Sequence, residues 1–176
     1  MSVANETFIT INGQQVAMPR LAAIAGRTRG ASATPTVQTG SAYTAGNVVG
    51  GLMTLAGLAG DLFSTFIQSA RLNVAGAQTA GFDLHIFRDN PTASTFTDKA
   101  APVIATADKD KWVTSISLSS PNSKLGSNVT LYDVQSIGRA ISAVGPDLYA
   151  VLTTSGTPTF SGGSDVTVTV NTISDL

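Results

Sequence analysis

The chain has 176 residues, a formal net charge of -1 and 12% charged against 43% hydrophobic residues, which favours one folded domain with a real core and excludes a chain disordered throughout. Charge this sparse also excludes the electrostatic footprint of a dedicated nucleic-acid binder, and zero cysteines remove disulfides, thiolate catalysis and thiolate metal sites together. Serine and threonine, about 23% of the chain, replace the missing charge, and Glu6 is the only glutamate, so composition points to β structure rather than to charged helices.

Residues 1–33 read as an N-terminal arm. They carry Arg20, Arg27 and Arg29 against Glu6, with the small apolar run Leu21-Ala22-Ala23-Ile24-Ala25 between them. Residues 7–11 could pair as a short strand and 16–25 could form a helical turn or two, but Pro19 and the glycines limit both. The start of the chain has no basic residue ahead of an apolar stretch, so no secretory signal is expected. Residues 48–62 are apolar but short, broken by glycine and interrupted by Asp61, which excludes an ordinary membrane-spanning helix.

From Thr34 to residue 176 the pattern changes to short alternating runs between turn residues, the signature of an antiparallel two-sheet β-sandwich. Strands are predicted at 34–39, 48–55, 65–74, 82–88, 103–106, 111–118, 128–134, 148–154 and 165–171. In 65–74 the alternation puts Phe66, Ala70, Leu72 and Val74 on one side and Ile67 on the other, with Gln68 breaking the apolar face. Phe82, Leu84 and Ile86 share one face of the next strand, Asp83, His85 and Phe87 the other, and Asp89-Asn90-Pro91 closes it as a turn. One helical turn is expected at 107–111. Residues 134–144 are a weaker helix candidate, because Ile137, Ile141 and Val144 fall at helical spacing. The Ser/Gly/Pro-rich segment 153–163 is expected to make a hairpin joining the last two strands.

Little in these residues points to catalysis. His85 is the only histidine, and a triad would need Asp83 to orient it and a serine to attack, yet no G-x-S-x-G turn is present. Asp108 and Asp110 are spaced as in calcium loops, but Lys109 and Lys111 interleave and no glutamate closes such a loop. No phosphate-binding glycine loop occurs. Aromatics, at 6%, are too few for a base-stacking or sugar-binding platform. Trp112 reads as a core or sheet-end residue. No catalytic, cofactor or metal residues are therefore expected. A weakly charged surface of small hydroxyl residues loses little side-chain entropy when covered, which suits extensive subunit contact.

The segments YTAGNVVGG, FDLHIFRDNPTASTFTD and ATADKDKWVTSISL, and the ending LYAVLTTSGTPTFSGGSDVTVTVNTI, resemble those of tailed-bacteriophage virion structural proteins. Leu84, Phe87, Asn90, Pro91, Thr92, Thr95, Phe96 and Asp98 carry the resemblance, which runs from residue 43 to the end. It implies a jelly-roll-like sandwich of the capsid decoration or cement type, made in the host cytoplasm and held on the capsid exterior. Such a protein would be non-enzymatic and without cofactor. Its partners would be the major capsid protein and its own copies, as a homotrimer, with no small-molecule substrate, membrane or direct nucleic-acid contact. The arm, with Arg20, Arg27 and Arg29, would reach over the capsid or an adjacent copy. The alternatives are a tail, baseplate or head-fibre component and, from another class, a carbohydrate-binding sandwich.

Overall fold

The computed structural model describes residues 27–119, 123–125 and 128–174, together with two short strands near the N-terminus. Those two, Phe8–Ile11 (β1) and Gln14–Ala17 (β2), pair antiparallel as a separate ribbon. The remaining strands are Arg27–Ala33 (β3), Val48–Leu55 (β4), Ser64–Ala75 (β5), Phe82–Phe87 (β6), Trp112–Leu118 (β7), Ser123–Leu125 (β8), Val129–Ser142 (β9), Leu148–Thr154 (β10) and Val166–Ser174 (β11). A 3-10 helical turn at Thr106–Lys111 is the only helix among the described residues, where one turn was expected.

Two antiparallel sheets face each other. One runs β4-β10-β6-β7, the other β3-β11-β5-β9-β8. Taking β3, β4, β5, β6, β7, β9, β10 and β11 as first to eighth, the larger sheet orders first, eighth, third, sixth and the smaller one second, seventh, fourth, fifth. That is a jelly roll: apart from β6 to β7, every connection between these strands crosses from one sheet to the other. The alternation of each strand supplies the core. Leu84 and Ile86 of β6, Leu148, Ala150 and Leu152 of β10, and Val166, Val168 and Val170 of β11 are fully buried between the sheets. Phe82 packs edge-to-face on Tyr132 at 5.4 Å between ring centroids. The Tyr132 hydroxyl donates to the Ala80 carbonyl at 2.6 Å, so this buried phenol keeps a partner.

Several local readings change in the fold. Arg27–Ala33, placed with the arm on composition, pairs with β11 over seven residues and is an edge strand of the larger sheet. Its alternation is hidden because the inward positions are Ala31 and Ala33 rather than large apolar side chains. Residues 34–39 form no strand, because there the chain leaves β3 as a loop whose Val37 amide bonds Gly163. Residues 103–106 make one isolated bridge, Thr95 to Val103. The helix candidate at 134–144 is the second half of β9. A spacing of four keeps Ile137 and Ile141 on one face of a strand as well as of a helix, and Val144, the residue that distinguished the two, lies beyond the strand and is exposed.

Bulges account for the remaining face errors. The β5–β11 register shifts where the adjacent Asn171 and Thr172 pair with Ser69 and Ile67, so the extra residue Gln68 turns Ile67 inward and leaves Phe66 outside. The segment after β10 is no hairpin, since β10 pairs with β4 and β6 while β11 pairs with β3 and β5. It is the crossover between the sheets, and its Phe160 packs on Tyr43 of the 34–47 connection.

Candidate functional site

The connections divide between two ends of the sandwich. The β4–β5 (56–63), β6–β7 (88–111) and β9–β10 (143–147) connections leave the same end, where β3 begins and β11 finishes. They are tied to one another: the Ala143 amide donates to Phe63, that of Val144 to Arg88, and that of Ala59 to Pro146. At this end Leu62, Phe63, Phe66 and Val144 are exposed, Leu62 at 63%. Exposed apolar side chains clustered on one surface mark a place that another surface covers.

The 88–111 segment then runs back over the outer face of the smaller sheet. That face is itself apolar, with Val48, Phe87 and Val151 buried beneath Phe96 and Tyr149. Phe87 and Phe96 meet edge-to-face at 5.6 Å. Two carboxylates pin the segment. Asp98 accepts from the Tyr43 hydroxyl at 2.9 Å, the Gln38 amide at 2.8 Å and the Gly50 amide at 2.6 Å. Gly50 has φ +78° and a Cβ there would meet Pro35 at 2.3 Å, so only glycine lets the backbone approach this closely. Asp108 is buried and accepts from the Ala93 amide, the Ser94 hydroxyl and Lys111 Nζ at 2.9, 2.8 and 3.0 Å. Burial pushes its carboxyl up, but the Ser94 hydroxyl, Lys111 and the Ala93 amide together outweigh it and hold it below the usual carboxylate range. Asp108 and Asp110 thus form no calcium loop: one closes a turn, and among the described residues no three metal-ligating side chains converge.

Near the end of β6 this cover leaves a cavity of about 160 Å3 lined by His85, Phe87, Phe96, Ile104, Trp112 and neighbouring apolar groups. Trp112 stands at the sheet end, half-exposed, with its indole 5.7 Å from the His85 ring. His85 spans three strands, its Nδ1 2.7 Å from Ser115 Oγ and its Nε2 2.9 Å from Thr153 Oγ1. Asp83 is not among its hydrogen-bond partners, and a threonine hydroxyl cannot balance the charge of an imidazolium as a triad carboxylate does. Burial lowers the His85 pKa, opposed by the charge of Asp83, and the ring clasps three strands through Ser115 and Thr153.

Of the arm arginines, Arg20 lies outside the described residues. Arg27 is exposed at the first position of β3. Arg29 is engaged within the chain, its Nε donating to Ser174 Oγ at 2.9 Å and its guanidinium 3.7 Å from Asp61. The exposed apolar end escaped the sequence reading because Val144 comes from a connection distant in the chain from Leu62, Phe63 and Phe66, and the parity change at Gln68 hid the outward side of Phe66.

No family model and no curated protein matches the chain. Among solved structures it is similar to a chain of the T13 particle of infectious bursal disease virus, with 14% identity, a TM-score of 0.38, and coverage of 85% of this chain and 31% of that one. A chain in the structure of the Gx strain of that virus gives 14% identity, a TM-score of 0.34 and coverage of 95% and 36%. A chain of the native Kashmir bee virus virion at acidic pH gives 11%, 0.26, and 97% and 89%. The chain spans about a third of the length of the first two. At superpositions this loose the likeness carries no argument.

Proposed function

We propose that this chain is a non-enzymatic virion structural protein of the capsid decoration type, which binds the outer surface of a tailed-phage shell and bridges neighbouring capsomers. The observation that carries this reading is the exposed apolar end, Leu62, Phe63, Phe66 and Val144, set on a jelly roll at the point where the N-terminal segment enters β3. The sequence resemblance from residue 43 onward supplies the phage assignment, and the jelly roll is an architecture that capsid domains use repeatedly. On this reading the rigid sandwich is the body of the contact. The N-terminal segment, followed by Arg27, reaches onto the shell or an adjacent copy, and three copies assemble about a symmetry axis.

The action is mechanical. Each copy adds buried apolar area between capsomers, at roughly 25 cal/mol per Å2 before ordering costs are subtracted, and so opposes expansion of the shell. The first test is the number of copies per purified particle relative to the major capsid protein. A ratio near one, or a simple fraction of it, supports decoration of the whole shell. A handful of copies moves the chain to the tail, baseplate or head-fibre alternative, and its absence from particles overturns the virion reading. Deleting residues 1–26 leaves β3 intact and tests the arm: unchanged shell binding would remove it from the contact.

A further inference from the structure

A second concavity, of about 290 Å3, opens at the sandwich edge between β7 and the latter half of β9. Its wall includes Arg88, Asp110, Trp112, Arg139 and Ser142. Arg139 bridges the two strands by donating to the Val113 carbonyl at 3.1 Å. Arg88 is half-buried, and its Nε is fully buried with no hydrogen-bond partner among the described residues. Neither guanidinium has a carboxylate within ion-pair distance among the described residues. A buried N–H without an acceptor costs about 1–3 kcal/mol, more on a charged group, so Arg88 keeps one unmet donor behind the wall it lines, and its charge has no partner among the described residues.

The charge count narrows the ligand. Two guanidiniums and the Asp110 carboxylate leave a net charge of +1 in the wall, which one monoanion neutralises and a dianion overshoots. Guanidinium forks match the planar pair of oxygens of a carboxylate, and the Trp112 indole offers an apolar wall for the carbon chain behind it. We propose that this concavity is a binding site for a single carboxylate group. The site borders the exposed apolar end, where the Val144 amide donates to the Arg88 carbonyl, but its charge chemistry does not depend on the virion reading. Two sources carry that chemistry, a free organic acid and an acidic side chain presented by another polypeptide.

Trp112 is the only tryptophan in the chain, so its fluorescence reports on this site. The full-length protein is titrated with acetate, butyrate and N-acetylglutamate N-methylamide, all monoanions, at constant ionic strength set with chloride. A saturable change is expected, weakened about tenfold or more in Arg88→Met. That variant is also expected to melt no lower than the parent, because it removes a donor that has no partner in the unliganded fold. Arg139→Gln, at an exposed position, is expected to weaken the response as well and keeps the test open if Arg88→Met fails to fold. Tighter binding of the blocked glutamate than of butyrate identifies a protein side chain as the source, and the reverse order a free acid. No saturable change with any of the three, or binding untouched by both substitutions, overturns the proposal.

Discussion

The two sheets of the sandwich share one core but differ on their outer faces. The larger sheet presents a ladder of small polar groups to solvent: Ser32 to Thr169 at 2.8 Å, Thr34 to Thr167 at 3.1 Å and Asn171 to Ser69 at 3.0 Å. Along β11 the alternation is the simplest in the molecule, valines inward and small polar side chains outward. The smaller sheet carries Phe87, Val151 and Val48 on its outer side and is covered by its own 88–111 connection. A sheet apolar on both faces must be roofed, and here the roof is a long loop without regular strands, fixed by Asp98 near its middle and Asp108 near its end. Long connections that fold tightly over a scaffold are where a family sets its particular contacts, and the half-exposed Trp112 and Ile104 lie at its margin.

Removing the apolar seam breaks this contrast most directly. Phe87→Ala takes away the ring on which Phe96 rests and is expected to cost about 3–5 kcal/mol, with faster proteolysis within 88–111. Global destabilisation without selective cleavage there would mean the roof is held by its carboxylates alone.

Acid sharpens the same contrast with a smaller effect. The folded His85 takes up its proton at lower pH than the ordinary 6.5 because burial disfavours the cation. Between those two values the unfolded chain binds more protons, so the stability His85 contributes is full above pH 6.5 and falls as pH drops through the folded value. Asp108, also held low, adds a second loss as pH falls below the ordinary carboxylate range, near 4. Protection factors of amides in 88–111, corrected for the intrinsic pH dependence of exchange, are therefore expected to fall on acidification in two steps while those of β11 hold, and His85→Gln is expected to remove the upper step. Uniform exchange along the chain would contradict the assignment.

The smallest effect belongs to the open face. Thr169→Ala removes one exposed hydroxyl contact with Ser32, and the expected change is within about 0.5 kcal/mol. A loss above 2 kcal/mol on thermal or urea unfolding would show that the hydroxyl ladder is covered in solution by another copy.

Much of this was legible in the residues. The valine–threonine alternation at 165–171 and the Phe82, Leu84, Ile86 face needed only period-2 geometry, and both appear in the fold as read. The breaks came where an extra residue reversed parity, at Gln68, or where alanines stood in for large apolar groups, in β3. His85 was placed on the correct face, yet its two hydroxyl partners, Ser115 and Thr153, lie 30 and 68 residues away and carry no local signal.

The sequence by itself determined that this is a β protein with a buried core, little charge and a surface of hydroxyls, because side-chain periodicity and composition are properties of neighbouring residues. Only the tertiary structure decided which strands pair, that 153–163 crosses between sheets instead of turning back, and that Arg88 and Arg139, fifty-one positions apart in the numbering, face one concavity. Pairing, roofing and the meeting of distant charges depend on sheet order, and sheet order is set by how all the faces are buried at once.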